Sequence, residues 1–252
     1  MTPRSRFWLI TMASAFAMLA TLLLGRWQLT RAAQKESLQA AIDSKAQQPS
    51  LDNRSLAALP DVAGVGGVGG VAGVAMALHR TVHLRGTWVA HRTIFLDNRQ
   101  MNAKPGLYVL TPLLLQGGTQ AVLVQRGWVA RNFMDRTSVP AVAAPAGVVE
   151  IEGRIAPPPS KLYELGAPER GLIRQNLDLA QFTVESGLPL LDVTVQQTGA
   201  ASEGLLREWP VASAGSAKNY GYAFQWFGLS ALIAILYVWF QIGKRFISPR
   251  RT

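Results

Sequence analysis

Three histidines, His79, His83 and His91, fall within 13 residues of one another and are the most chemically suggestive cluster in this chain. Imidazoles grouped this way invite a metal-site reading. In strand-like text, however, residues four apart share a face but stand roughly 13 Å apart, too far for one ion. No carboxylate lies among them, so they read as surface or turn histidines. Acidic side chains are sparse: Asp97, Asp135, Glu150, Glu152, Glu164, Asp178 and Glu185 offer no close pairing with a neighbouring base. Glu150 and Glu152 alternate on one strand face, a pattern that solvates an exposed edge rather than performing acid/base work. No Gly-x-Ser-x-Gly elbow occurs. With no cysteine, a disulfide framework, a thiolate nucleophile and a thiolate metal site are all excluded. No catalytic constellation emerges, which disfavours an enzyme and leaves no metal site.

The elements that would carry any function are set by two uncharged apolar runs, Phe7 to Gly25 and Asn219 to Gly243. The first, as a helix, is about 28 Å long and matches a bilayer's hydrocarbon core; the second is long enough to span with tilt. A signal peptide is the alternative for the first run, but its Ala-x-Ala matches sit mid-run, and Leu24 leads directly into Gly25-Arg26-Trp27 without a cleavage box. A buried core helix is the alternative for the second. Against it stand Lys244, Arg245, Arg250 and Arg251, a stop-transfer pattern, and aromatic residues near both ends of the run.

Orientation follows from Lys and Arg counts beside the spans. Four basic residues follow the second run and only Lys218 precedes it closely, so both termini are expected on the cytoplasmic or matrix side and the middle domain in the periplasm or, in an organelle, the intermembrane space. The formal charge of +10 is scattered or clustered at membrane flanks, which reads as topology and attraction to the lipid bilayer, with no nucleic-acid partner. The expected organisation is a cytoplasmic N-terminus at 1–6, transmembrane helices at 7–25 and 219–243, an extramembrane domain at 26–218 with a flexible Gly/Val-rich loop at 61–77, and a basic cytoplasmic tail at 244–252. No Arg- and Ser-rich presequence precedes Phe7, which favours the bacterial inner membrane.

Within the middle domain, Arg26 to Gln48 is rich in helix formers, so the first helix should continue until Pro49. Thr81 to Val89 alternates as a strand, with Gly86 as a bulge or bend. Thr93 to Leu96 reads as a second short strand and Asp97-Asn98-Arg99 as a turn from which Arg99 projects. Strands are further expected at Leu107–Leu115, Gln120–Val129, Val148–Ile155 and Leu190–Gln196. Asp178 and Gly187 bracket a short helix as N-cap and terminator. The fold class is therefore two terminal transmembrane helices flanking an α+β, mainly antiparallel β, barrel-like domain.

Five strings then stand in order: Gly25-Arg26-Trp27-Gln28-Leu29; Phe95-Leu96-Asp97-Asn98-Arg99 with Pro105-Gly106-Leu107-Tyr108-Val109-Leu110-Thr111-Pro112; Val124-Gln125-Arg126-Gly127-Trp128-Val129; Arg174-Gln175-Asn176-Leu177-Asp178; and Tyr222-Ala223-Phe224-Gln225-Trp226-Phe227. Together with the two terminal spans they resemble the Surfeit locus protein 1 family. The resemblance implies an assembly factor for the haem-copper terminal oxidase, cytochrome c oxidase, assisting haem a insertion or stabilising the catalytic subunit during maturation. Its implied partners are that subunit and other oxidase assembly factors, and its implied transient cofactor is haem a. The family commonly has a histidine where this chain has Asn219, which removes the most attractive axial ligand; His79, His83 or His91 would have to substitute.

Candidate residues follow. Tyr222, Gln225 and Trp226 would line a haem-sized groove beside the second span, or simply form an aromatic belt. Arg99, Arg126 and Trp128 are candidates for partner contact; Arg126 and Trp128 should share a strand face, with Gly127 opposite open to a neighbouring backbone or ligand. Ala13, Ala17, Thr21 and Gly25 recur every four residues as a small-residue stripe, making Ala17 and Thr21 candidate helix-docking positions. Gln175 and Asn176 read as satisfying loop amides. The competing functions are a membrane-anchored periplasmic enzyme and an envelope scaffold unrelated to oxidase assembly.

Overall fold

The computed structural model describes residues 2–59, 76–135, 138, 140–163, 171–210, 213 and 215–243. Most of the expected Gly/Val loop and all of the basic tail lie outside these described residues. The chain divides into two compact units, Met1–Ala40 with Val211–Thr252, and Ala41–Pro210.

The first unit is a helix pair. Helix α1 runs unbroken over Pro3–Ala46, its last residues belonging to the second unit, and α4 spans Ser216–Tyr237 before a π-helical turn at Val238–Gly243. Both are long and apolar enough to cross a membrane, and little of either apolar window is buried, unlike a core helix. The less exposed positions of α1 include 11, 14, 18, 21, 25, 28, 32 and 35, and those of α4 include 216, 219, 223, 226, 230, 233 and 237. This is a 3.5-residue repeat, the period that keeps one seam facing a partner helix. The four-residue stripe expected in α1 therefore meets the seam only in part. Each four-residue step drifts by about 40° on a helix of 3.6 residues per turn. Thr21 and Gly25 lie in the seam, Ala17 is half-buried at its margin, and Ala13 is exposed.

The second unit is a closed barrel. Strands β1 (Thr81–Trp88), β5 (Val148–Ala156), β7 (Leu190–Gln197), β4 (Ala121–Ala130) and β3 (Lys104–Leu115) neighbour one another in that order, and β3 pairs back onto β1. The first half of β3 also carries β2 (Ile94–Met101), which in turn pairs with the two-residue β6 (Ile173–Arg174). On β1 the alternation is as expected, with Val82, Leu84 and Trp88 packed inside among Leu113, Val122, Val124, Ile151, Val193 and Val195.

Gly86 is not a bend but the closure point. A Cβ there would stand 2.3 Å from the Leu114 carbonyl oxygen, so only glycine lets β1 lie directly on β3. Before that point, Leu51 bridges Val82, and the Asn53 carboxamide bonds the backbone N–H and C=O of Arg85 and the C=O of Gln116. A short helix α2 (Asn53–Ala57), capped by the Asp52 carboxylate on Ser55 N–H, holds this filler in place. Sequence reading missed α2.

Helix α3 (Leu179–Ser186) behaves as expected. Asp178 accepts from Gln181 N–H, Gly187 ends the helix at φ 69°, and Phe182 is buried among Leu96, Leu123 and Leu177. Two other expectations are corrected. Asp97 and Asn98 do not turn the chain: β2 continues through a bulge between Leu96 and Arg99, with Asn98 at φ 58° supplying the extra residue's left-handed geometry. Glu150 and Glu152 do lie on an outward face, but β5 is an interior strand paired on both sides, not an edge.

The registers place strand ends consistently. Thr81 opposes Arg154, Gly153 opposes Gln197, Gln125 opposes Gln196 in parallel, and Gly106 opposes Ala130. Strands β1, β7 and β4 run one way and β5 and β3 the other, so one barrel end collects the starts of β1, β7 and β4 with the ends of β5 and β3. The chain arrives there from α1, where Thr81 Oγ1 donates to the Ala46 carbonyl. It leaves after β7 by a strap at 198–210 that folds back over β4, with Leu206 and Trp128 exchanging two backbone hydrogen bonds.

Candidate functional site

Asn219 occupies the centre of the polar part of the helix seam. Its Oδ1 accepts from Lys35 Nζ at 2.9 Å and its Nδ2 donates to Gln28 Oε1 at 2.6 Å. One residue further on, the Tyr220 hydroxyl donates to Glu36 at 3.0 Å. Deeper along the pair, Thr11 Oγ1 and the Tyr237 hydroxyl lie 2.9 Å apart, and Ser230 Oγ lies 3.5 Å from the Met18 carbonyl. Between these contacts Phe227 packs on Gly25, where a Cβ would stand 2.7 Å from the ring. The small residues thus serve contact within the pair. Thr21 spends its hydroxyl on the Ala17 and Met18 carbonyls of its own helix.

Of the three residues expected to line a haem-side groove, Tyr222 is 52% exposed, Gln225 is exposed and Trp226 is half-buried in the seam. Gln28 and Lys35, which organise Asn219, were missed by the sequence reading. They lie seven residues apart in α1, so a heptad count beginning at Ser14 would have found both.

The helix pair offers a haem iron no imidazole. Of the side chains that ligate haem iron, imidazole and thiolate are absent from α1 and α4, while the Met12 and Met18 thioethers and the Tyr220, Tyr222 and Tyr237 phenols are present. At position 219 stands an amide whose oxygen and nitrogen are both already bonded, and all three histidines of the chain belong to the barrel unit. There they are dispersed: His79 in a turn at φ 70°, His83 exposed on β1, and His91 in a 3₁₀ turn at Ala90–Arg92. Among the described residues no three His, Cys, Asp or Glu side chains gather to hold a metal.

The barrel residues singled out by sequence, Arg99, Arg126 and Trp128, are 5%, 1% and 3% exposed. Arg99 does not project. It donates to the carbonyls of Ser160 and Gln175, and burial lowers its pKa. Asn176 bonds both backbone groups of Leu162, so Arg99, Gln175 and Asn176 together tie the 160–163 segment to the sheet. Arg126 is the extra residue of a bulge in β4, opposite Val109 and Leu110, and this breaks the alternation that would have placed it beside Trp128. Its guanidinium sits 4.7 Å over the Trp88 ring and pairs with Glu203 and the Ala143 carbonyl. Trp128 packs with Met101 and Trp209 and donates from Nε1 to the Arg99 carbonyl at 2.9 Å. Gly127 is covered by the strap: a Cβ there would stand 2.7 Å from Leu205 Cβ. All three side chains hold the barrel and its strap together.

A cleft of about 650 Å³ lies between α2 and the β3–β4 turn, lined by Asp52, Arg54, His83, Arg85 and Gln116 among others. Its Asp52 carboxylate is committed to the α2 cap and its Arg85 to Glu150 at 2.9 Å. No nucleophile stands beside a base in it.

A protein-family model described as the SURF1 family matches residues 15–231, a segment that takes in most of both apolar helices and the whole barrel. No curated protein matches the sequence.

Proposed function

The chain belongs to the SURF1 family, a family of assembly factors linked to cytochrome oxidase rather than of catalysts, and on that footing we propose that it stabilises the oxidase catalytic subunit during maturation. In this reading α1 and α4 anchor it in the bacterial inner membrane, both termini are cytoplasmic and the barrel is periplasmic. Neighbouring oxidase assembly factors are its further partners.

One observation carries the choice of holding a subunit over carrying haem a. Polar groups in the helix seam are spent on each other, Lys35 and Gln28 on Asn219 and Thr11 on Tyr237, while Phe16, Leu23, Phe224 and Ile235 remain exposed along the apolar faces. Such a surface presents no imidazole to iron but can pack against lipid or against the helices of a membrane subunit. Buried arginines and a closed sheet make the barrel a rigid cover rather than a reaction chamber.

Deleting the gene and recording reduced-minus-oxidised spectra of the membranes tests this. Loss of cytochrome a absorbance and of oxidase activity, restored by the chain supplied in trans, is the expected result; unchanged spectra in a strain lacking any second copy of the family would sink it. Chain purified from cells making haem a should remain without a Soret band while still restoring activity.

A further inference from the structure

One step along a helix turns it by about 100°, so residues just before and just after the seam positions line the two flanks of the α1–α4 pair. The flanks match between the helices. Glu36 and Tyr220 each follow a seam residue, Lys35 and Asn219, and they bond each other. Residues that precede seam positions therefore share the opposite flank. On α1 these include Leu24, Trp27 and Arg31, and on α4 Lys218, Tyr222 and Leu229, all exposed. The bonds of Asn219 to Lys35 and of Thr11 to Tyr237 set the helices antiparallel, which stacks these side chains by level. Arg31 and Lys218 lie farthest from the middle of the spans, and Trp27 and Tyr222 come next. Leu24 and Leu229 follow, Leu24 about 10 Å below Arg31.

The charge on this flank has one sign. Helix α4 contains no Asp or Glu, and the first acidic residue of α1 is Glu36, which stands on the other flank with Tyr220. Among the described residues Arg31 and Lys218 form no ion pair, and Arg31 donates to the neutral Gln34 carboxamide at 3.5 Å. Lys35 adds a cation from the seam, bonded there to the neutral Asn219. In the orientation proposed above, the positive-inside tendency disfavours cations at this end of the spans, so topology does not account for them.

We propose that this flank is a binding site for an anionic glycerophospholipid of the leaflet on the barrel's side. The phosphate sits on Arg31 and Lys218, the glycerol esters lie beside Trp27 and Tyr222, and the acyl chains run along Leu24 and Leu229. The inference rests on both helices spanning the bilayer, and not on a role in oxidase maturation. Cation, aromatic ring and aliphatic chain follow one another down the flank in the order of the phosphate, interfacial and hydrocarbon layers. Side chains on a helix tilt toward its N-terminus, so Arg31 leans toward the bilayer and its fork can take two phosphate oxygens. A zwitterionic lipid would bring its own ammonium against cations that have no acid beside them, and that repulsion selects for net negative charge.

The test uses the full chain in phosphatidylcholine nanodiscs. The absence of native cysteine lets a single fluorophore be placed at Gln225→Cys, just before seam residue Trp226, or at Leu29→Cys, just after Gln28 on the other flank. At position 225, spin-labelled phosphatidylglycerol should reach half-maximal quenching at roughly 10- to 30-fold lower content than spin-labelled phosphatidylcholine, the scale of two cations acting on an anionic headgroup. At position 29 the two lipids should quench alike. Arg31→Gln with Lys218→Gln should abolish the preference without changing the melting midpoint, whereas Arg26→Gln, an exposed cation just after Gly25, should keep it. Equal preference at both positions would reduce the effect to diffuse surface attraction and overturn the site. Loss of the preference in excess glycerol phosphate would assign the cations to a soluble phosphate compound and overturn the lipid. No quenching by either lipid at either position would remove the spanning helices, and this inference with them.

Discussion

The Lys35 ammonium and the Asn219 carboxamide, 184 residues apart in sequence, meet at 2.9 Å in the helix seam, and Gln28 closes the other side of the amide. A cation held by neutral amides at a helix–helix contact is a pairing device. It sets which residues of α1 and α4 face each other, and its strength is open to direct measurement.

Replacing Asn219 by Leu should loosen the pair by about 1 kcal/mol, because Lys35 and Gln28 both lose their partner. Asn219→Asp should keep or strengthen it by supplying a charge to Lys35. Thermal unfolding in detergent, followed by a fluorophore pair placed on the two helices, reads the order of the three proteins. Equal midpoints for Leu and Asn would remove the clamp.

In the barrel, Glu203→Ala leaves the 1%-exposed Arg126 guanidinium without its carboxylate. Truncating one partner of a buried pair typically costs about 3–5 kcal/mol. Arg126→Met in the same background should recover part of that loss, since Trp88 and the bulge can accept an apolar side chain of similar length. Urea unfolding of the four proteins of the cycle gives the coupling.

Gly86→Ala should open the barrel seam. The added methyl would lie 2.3 Å from the Leu114 carbonyl, so β1 must move away from β3, and a loss of several kcal/mol is expected, in the range reserved for named structural clashes. Gly117→Ala is the control: nothing lies within 4 Å, and only the positive φ of 88° is strained, for about 1 kcal/mol. Comparable midpoints would show that closure does not depend on the approach at Gly86.

Burial, helped by Arg154 and Lys45, lowers the pKa of His79. In the unfolded chain the imidazole titrates near 6.5, so as pH falls through that value the unfolded state takes up the proton first and stability drops, until the folded-state pKa is passed. The urea midpoint should decline from pH 7.5 to 5.5 and do so less in His79→Gln. The caps Asp52 and Asp178, whose pKa values are lowered chiefly by hydrogen bonds from Ser55 and Gln181, weaken only below about pH 4 and do not enter this window.

The order and bounds of the main strands, the Asp178 and Gly187 caps and both apolar helices were legible because each rests on local rules, alternation, capping chemistry and hydropathy. The family strings were legible too, and the family match bears them out. The roles of the residues inside those strings were not. Arg126 was placed beside Trp128 by strict alternation, and one bulge separated them. Arg99 was expected to project from a turn, and the continuation of β2 buried it.

What the amino-acid order determined by itself is therefore what has a short period: the long helices and the capped α3, which residues of the regular strand stretches point inward, where cysteine chemistry is impossible, and that two segments are apolar enough to span a bilayer. Tertiary structure alone decided which distant pieces meet. The parallel contact of β4 with β7, the closure of β1 on β3 at Gly86, the strap over Gly127 and the bonding of Asn219 to Lys35 all join residues far apart in the chain. Such contacts depend on loop closure, register and the room left by a missing Cβ, and none of these leaves a periodic mark in the sequence.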